Sequence, residues 1–337
     1  MRSNPVTIID IARILGVSKS TVSRALKNHP DISQETKDAV NRIAQSLNYI
    51  PNTVASSFRN RKTQVIGLIV PQISYFFFPS VVRGIEEVVH NKGYKLMILQ
   101  SNESYEREVE NMNILMASNV EGILASVSLE TKNFEHFQHI IDIELPIVFF
   151  DRVVKDMNVD IVLVDDITGS FNAVKRLISA GRKRIAICTG NMNLLISRNR
   201  LQGYKTALLQ AGIPIDQDFI ISSDSPEDTE QSVYVLLNSP SPPDGIFAIS
   251  DLTMTGVMKA IFKKNIKVPN EISVIGFCEE PFRSMYNPQL TTIEPMGFEI
   301  GFRAAELLFE RIQDNISRNS PSQVIFIDSH LKEGGSI

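Results

Sequence analysis

Two groups of residues in this 337-residue chain have types and spacings that suit chemistry, and they lie far apart. The first is close to the N-terminus, where Val22, Ala25 and Leu26 take the inward positions of a short helical pattern. Lys19, Ser20, Thr21, Ser23 and Arg24 then face out. Short hydroxylated and cationic side chains along a helix front suit base edges and phosphates in a major groove. The same pattern also serves an ordinary helical hairpin with a polar outer face. The second group is scattered: the aromatic run Tyr75–Phe78, Asp151 closing PIVFFD and Arg200 in ISRNRLQGY. A carboxylate after an apolar run can take ligand hydroxyls, and a guanidinium can pair with a carboxylate or bridge ring oxygens. Packing at a helix start accounts for part of the aromatic run, and structural ion pairing is the other reading of Asp151 and Arg200.

Short helices must position the first group. Ile8, Ile9, Ile11, Ala12 and Leu15 recur with a helical period, and Thr7 with Asp10 three residues on forms a capping-box pattern. Gly16 supplies a turn and Ser18 an N-cap for the next helix. After a break at Pro30, Ser33 caps a third helix over 35–47, with Val40, Ile43, Ala44 and Leu47 on one side. Pro51 disfavours helix at Ile50. Residues 52–62 have the length of about two helical turns, too short to be stable alone in water. Phe58, followed by Arg59, Arg61 and Lys62, then reads as an apolar wedge for a minor groove in a linker that folds on its partner. The alternative is a solvated linker whose Phe tucks against the body.

From Gln64 apolar strands alternate with helices. Strands are predicted at 65–70, 94–100, 122–127 and 146–151, then at 161–165, 184–190, 219–223, 244–250 and 272–277. Helices at 79–91, 105–118, 168–180, 198–211, 227–237 and 252–264 lie between them. This implies parallel sheets covered on both faces, in two lobes with a cleft between them, and ligands collect at C-terminal strand ends in such sheets. Late elements at 290–294, 297–313 and 323–328 are expected to cross back between the lobes.

Composition excludes several classes. The chain is 43% hydrophobic and 21% charged, and no apolar run approaches the ~20 residues that span a bilayer. The N-terminus lacks the apolar core of a secretory signal, which points to the cytoplasm. Cys188 and Cys278 have no metal spacing and are expected as buried thiols. His136 and His139 are expected on a solvated helix face. No Gly-x-Gly-x-x-Gly, phosphate loop or Gly-x-Ser-x-Gly elbow occurs, so neither catalysis nor a cofactor is expected. Net charge is −4, but residues 1–62 hold ten Lys/Arg against four Asp/Glu, and 63–337 hold 24 against 34. A basic head on an acidic body marks a polyanion-binding module joined to a second activity.

TIIDIARILGVSKSTVSRALKN, ISQET, LNYIPN and VASSF together resemble the lactose-repressor (LacI/GalR) family of bacterial regulators. The head-piece motif VSxxTVSRxL is matched at Val17, Ser18, Thr21, Val22, Ser23, Arg24 and Leu26. The resemblance implies a small all-α helix-turn-helix head over 1–50, a hinge helix over 51–62, and an α/β two-lobed, periplasmic-binding-protein-like body over 63–337. Lobe one would take about 63–162 plus 291–321, and lobe two 163–290 plus 322–337. DNA contacts would fall to Thr7, Ser18, Lys19, Ser20, Thr21, Ser23, Arg24 and Asn28, and in the hinge to Asn52, Ala55, Phe58 and Arg59. A homodimer would read a palindromic operator, controlled by a sugar or sugar acid held by Phe77, Phe78, Asp151, Arg200, Ser250, Asp251, Cys278 and Glu279. Three positions depart from the family pattern. Phe58 stands where Leu is usual, Ser250 where Asn is usual, and Cys278 where a sugar-chelating Asp is usual, with Glu279 next. A thiol cannot replace a carboxylate that holds two hydroxyls. The rival readings are a soluble sugar-binding protein without a DNA role, and an enzyme. In the wedge reading, Phe58→Ala weakens specific binding far more than non-specific binding and reduces DNA bending; unchanged bending of a gel-shifted complex would refute it.

Overall fold

The computed structural model describes residues 6–49, 63–154, 157–313 and 321–337. The chain divides into two compact units, Met1–Thr63 and Gln64–Ile337. The first contains α1 (Ile8–Leu15), α2 (Lys19–Leu26) and α3 (Gln34–Ser46). The Asp10 carboxylate accepts from the Thr7 N–H at 3.0 Å and from its hydroxyl at 2.7 Å, fixing the start of α1. Gly16 ends that helix at φ 64°, a left-handed conformation that glycine adopts without a Cβ penalty. Ser18 then caps α2 by accepting from the Thr21 N–H at 3.1 Å. Ile11, Val22 and Val40, one from each helix, are fully buried together. The segment expected as the hinge lies outside the described residues, with Asn52, Ala55, Phe58 and Arg59.

The second unit opens with β1 (Val65–Val70), α4 (Phe77–Asn91), β2 (Lys95–Gln100), α5 (Tyr105–Ala117) and β3 (Gly122–Ala125). It continues through α6 (Glu135–Asp142), β4 (Ile147–Phe150), β5 (Asp160–Val164), α7 (Asp166–Ser179) and β6 (Ile185–Thr189). Next come α8 (Leu195–Gln210), β7 (Ile220–Ser222), α9 (Pro226–Leu236), β8 (Gly245–Ala248) and α10 (Asp251–Lys263). The last elements are β9 (Ser273–Phe277), β10 (Thr291–Glu294), α11 (Gly297–Gln313), β11 (Val324–Ile327) and β12 (His330–Lys332). Two six-stranded sheets result, ordered β11-β5-β4-β3-β1-β2 and β12-β10-β9-β8-β6-β7. Among the described residues every pairing is parallel except β12 against β10. Strands such as Gly122–Ala125 and Ile147–Phe150 are buried at every position, because helices cover both faces.

The late crossings differ from the expected lobe boundaries. β10 pairs with β9 in the second sheet (Thr291 opposite Ile275), although 291–321 was expected in lobe one. β11 pairs with β5 in the first (Val324 opposite Ile161), although 322–337 was expected in lobe two. Each strand covers an edge of β9 or β5 that would otherwise expose unpaired N–H and C=O groups. Between them α11 lies over the first sheet, against α4. The short exposed β12 was not expected, and α6 was expected only as the helix carrying His136 and His139, without bounds. α6 also corrects His136. Its ring is buried, with Nε2 3.0 Å from Glu108 Oε1, while His139 is exposed. The buried Glu108 carboxylate also accepts from Thr131 Oγ1 and from Ser128 N and Oγ, so the polar group is satisfied by its neighbours.

Helices α4 and α11 approach backbone to backbone. A Cβ on Gly84 would lie 2.0 Å from the Phe298 carbonyl oxygen, and one on Gly301 2.0 Å from that of Val81. Adding a methyl group there must separate the helices. Gly301→Ala is expected to cost about 2 kcal/mol, typical of overpacking; an unchanged urea midpoint would contradict the close approach.

Candidate functional site

The C-terminal strand ends of both sheets meet in an open cleft, the position expected for a ligand in parallel α/β sheets. Its volume of about 200 Å³ suits a small molecule. Phe77, Phe78, Asp151, Arg200, Ser250, Asp251, Cys278 and Glu279 all line it, although 201 residues separate the first from Cys278.

Arg200 is placed by the sequence around it. Gly203 lets α8 press against α7, since a Cβ there would lie 2.4 Å from the Ile167 carbonyl. The buried Tyr204 hydroxyl donates to the Ile185 carbonyl at 2.7 Å, tying α8 to β6. The Arg200 guanidinium then stands over the Phe277 ring at 3.7 Å. Its Nε donates to Asp166 at 2.7 Å and its Nη1 to the Ile249 carbonyl. A buried charge needs such partners. The structural ion pairing that the sequence left open for Arg200 is therefore present, in a side chain that also lines the cleft.

The carboxylates have a different character. Asp151 follows β4 at φ 59°, a left-handed conformation that Asp tolerates better than most residues. Burial pushes its pKa up to about 6, against the opposing pull of Arg152 and Arg200. Asp251 opens α10, and burial raises it too, opposed by hydrogen bonds from backbone N–H groups. One of these donors is the Phe76 N–H, 3.0 Å from Asp251 Oδ2, which belongs to the first lobe beside the start of α4. Glu279 follows β9, and its Oε1 accepts from the Gly297 N–H at 2.6 Å, the first residue of α11. Burial pushes Glu279 up to about 7, and hydrogen bonds from Gly297 and Ser80 oppose that rise. Two carboxylates of the second lobe thus cap two helix N-termini of the first, where the helix dipole favours negative charge. Beside them the Cys278 thiol is buried and its pKa raised by desolvation, which keeps it neutral. Ser250 is the N-cap of α10, accepting from the Thr253 N–H at 3.3 Å.

Sequence reasoning missed Asp166, Glu103, Arg152 and Phe277. Asp166 carried a weak signal, the doubled Asp after strand 161–165. Glu103 and Arg152 had none, since their pairing at 2.8 Å joins loops 49 residues apart. In the head, Thr7, Ser18, Lys19, Ser20, Arg24 and Asn28 are exposed and Thr21 and Ser23 half-buried. Ser18, Ser20 and Thr21 hydroxyls bond one another at 2.7 and 2.8 Å, which orients the front of α2.

Glu279 and Asp151 both titrate above their ordinary carboxylate values. Their neutral forms are favoured in the fold, so the stability they contribute is present below the unfolded pKa and lost as pH rises through the folded one. Glu279→Gln keeps an acceptor for the Gly297 N–H and removes the charge. Melting temperatures of the two proteins are expected to converge towards about pH 4.5 and to separate by about pH 8, with the variant more stable. Parallel curves would contradict an uncompensated buried carboxylate.

Comparison with known proteins agrees with this geometry. Residues 7–52 match the model for bacterial regulatory proteins of the lacI family. Residues 63–330 match periplasmic binding proteins and the sugar binding domain of the LacI family. The ribose operon repressor of Haemophilus influenzae is 34% identical, over 91% of this chain and 92% of that protein. The transcriptional repressor PurR of Vibrio atlanticus is 31% identical, over 91% and 92%. A lac repressor dimer bound to operator and an anti-inducer shares the fold, with TM-score 0.86 and 23% identity over 99% of both chains. Head, two-lobed body and cleft are thus those of one lineage, and the chain belongs to the LacI family of bacterial transcriptional regulators.

Proposed function

We infer that the head and the cleft are two ends of one switch: operator binding by α2, controlled by a small molecule held between the lobes. The observation that carries this is the pairing of an exposed cationic helix front, Lys19 to Arg24, with a ligand-sized cleft in an acidic body. The relatives are repressors, so the chain is a DNA-binding regulator and not a catalyst. It acts in the cytoplasm as a homodimer whose two heads read a palindromic operator. The lac repressor, whose fold it shares, is a dimer on its operator.

In this reading Thr7, Ser18, Lys19, Ser20, Thr21, Ser23, Arg24 and Asn28 touch DNA, joined by Asn52, Ala55, Phe58 and Arg59. The effector is a sugar or sugar derivative, with Phe77 and Phe78 giving stacking faces and Asp151, Asp251 and Glu279 accepting hydroxyls. Ligand that changes the Asp251 and Glu279 contacts changes lobe closure. A few kcal/mol of differential affinity for the two lobe arrangements suffices to shift DNA occupancy.

Selection of the full chain against random duplexes is expected to return palindromes with half-sites one or more helical turns apart, bound less tightly as salt rises. Arg24→Ala is expected to cost about tenfold or more on the selected duplex and far less on random DNA. No salt-sensitive preference for any palindrome, in any ligand state, would sink the regulator reading.

A further inference from the structure

The cleft's charges divide unevenly. Its two guanidiniums are both committed to the protein. Arg152 Nη1 donates to both oxygens of Glu103, at 2.9 and 2.8 Å, and Arg200 is held by Asp166 and the Ile249 carbonyl. Of the four further carboxylates that line the cavity, Asp224 is exposed, and the other three are buried with no cation closer than 3.9 Å among the described residues. Asp251 and Glu279 receive uncharged backbone donors. The Asp151 carboxylate accepts no hydrogen bond among the described residues. Its side chain is only 5% exposed, and its nearest cation, Arg152 Nε, stands 3.9 Å away while Nη1 of the same guanidinium is bonded to Glu103.

A buried carboxylate without a partner is costly, and a ligand bearing another carboxylate would add like charge beside guanidiniums already paired with Glu103 and Asp166. A neutral polyol would satisfy hydrogen bonds and leave the charge uncompensated. A protonated amine supplies both a donor and the missing charge. The aromatic lining from Phe77 and Phe78 fits the same ligand, since ring faces stack on a sugar ring and attract a cation.

We propose that the effector is a polyhydroxylated molecule carrying a protonated amine, an amino sugar or amino polyol, with its ammonium at Asp151 and its hydroxyls towards Asp251 and Glu279. This rests on the ligand-cleft reading above and names the class of its ligand. The groups facing each carboxylate agree with it. Arg152, Arg200, Asp166 and Glu103 surround Asp151, and Glu294 and Asp251 stand nearest Glu279, leaving negative charge in excess at both.

The test is calorimetry and thermal shift on the full chain with nine probes at about pH 7. Glucosamine, galactosamine and mannosamine are compared with the parent sugars and with the corresponding uronic acids. Within any stereochemical series that binds, the amine is expected to bind at least about tenfold more tightly than its parent sugar, and the acid to bind least. Asp151→Asn, which suits the left-handed backbone, is expected to weaken the amine at least about tenfold and so erase its preference over the parent sugar. A parent sugar or acid outranking its amine, a preference that survives in Asp151→Asn, or no response to any amine would each overturn the proposal. Palindrome binding by the full chain, without ligand and with each probe, is measured beside it. If that binding is intact in any of these states, failure falls on the ligand class alone, and if it is absent in all of them, the regulator reading fails.

Discussion

Two hydrogen-bonded carboxylates set the geometry on which the cleft depends. Asp251 and Glu279 belong to the second lobe, yet their acceptors are filled by the Phe76 and Gly297 N–H groups of the first. Each sits at a helix N-terminus, where unpaired donors and the helix dipole both favour an anion. Among the described residues the chain crosses between lobes near 165, 295 and 328, and these two hydrogen bonds join the lobes noncovalently. Because they are hydrogen bonds to buried charge, a ligand's differential affinity is of a size to change them.

The rest of the site follows from keeping charge buried. Arg200 cannot stand in the cleft unless Asp166, the Ile249 carbonyl and the Phe277 face surround it. The close approach allowed by Gly203 and the tether of Tyr204 hold α8 where those partners are. Cys278 contributes no charge, so acidity at that end of the cavity passes to Glu279, one residue later.

Much of the fold was legible because periodicity and caps are local. The turn at Gly16, the caps at Ser18 and Ser33, and the order of apolar strands and helices follow from neighbouring residues, and the elements stand within a few residues of the predicted bounds. The bounds of α6 escaped because its apolar residues, Phe137, Ile140 and Ile141, make barely two turns of pattern. His136 was misjudged for a related reason. Its partner, Glu108, lies 28 residues away on another helix, and no pattern in either stretch announces the pair. The exchange of β10 and β11 between sheets was equally hidden, since a short apolar strand does not say which open edge it will cover.

The sequence by itself determined that a basic helical head precedes an acidic α/β body, which residues face outward on α2, and which side chains end strands where ligands collect. These are consequences of residue type and spacing along a few turns of chain. Only the tertiary structure decided that Arg200 is paired with Asp166, that Asp251 and Glu279 bridge the lobes, and that Asp151 stands buried without a hydrogen-bond partner among the described residues. Burial and charge compensation are sums over groups brought together from distant segments, so they exist only once the two sheets have closed on a common cleft.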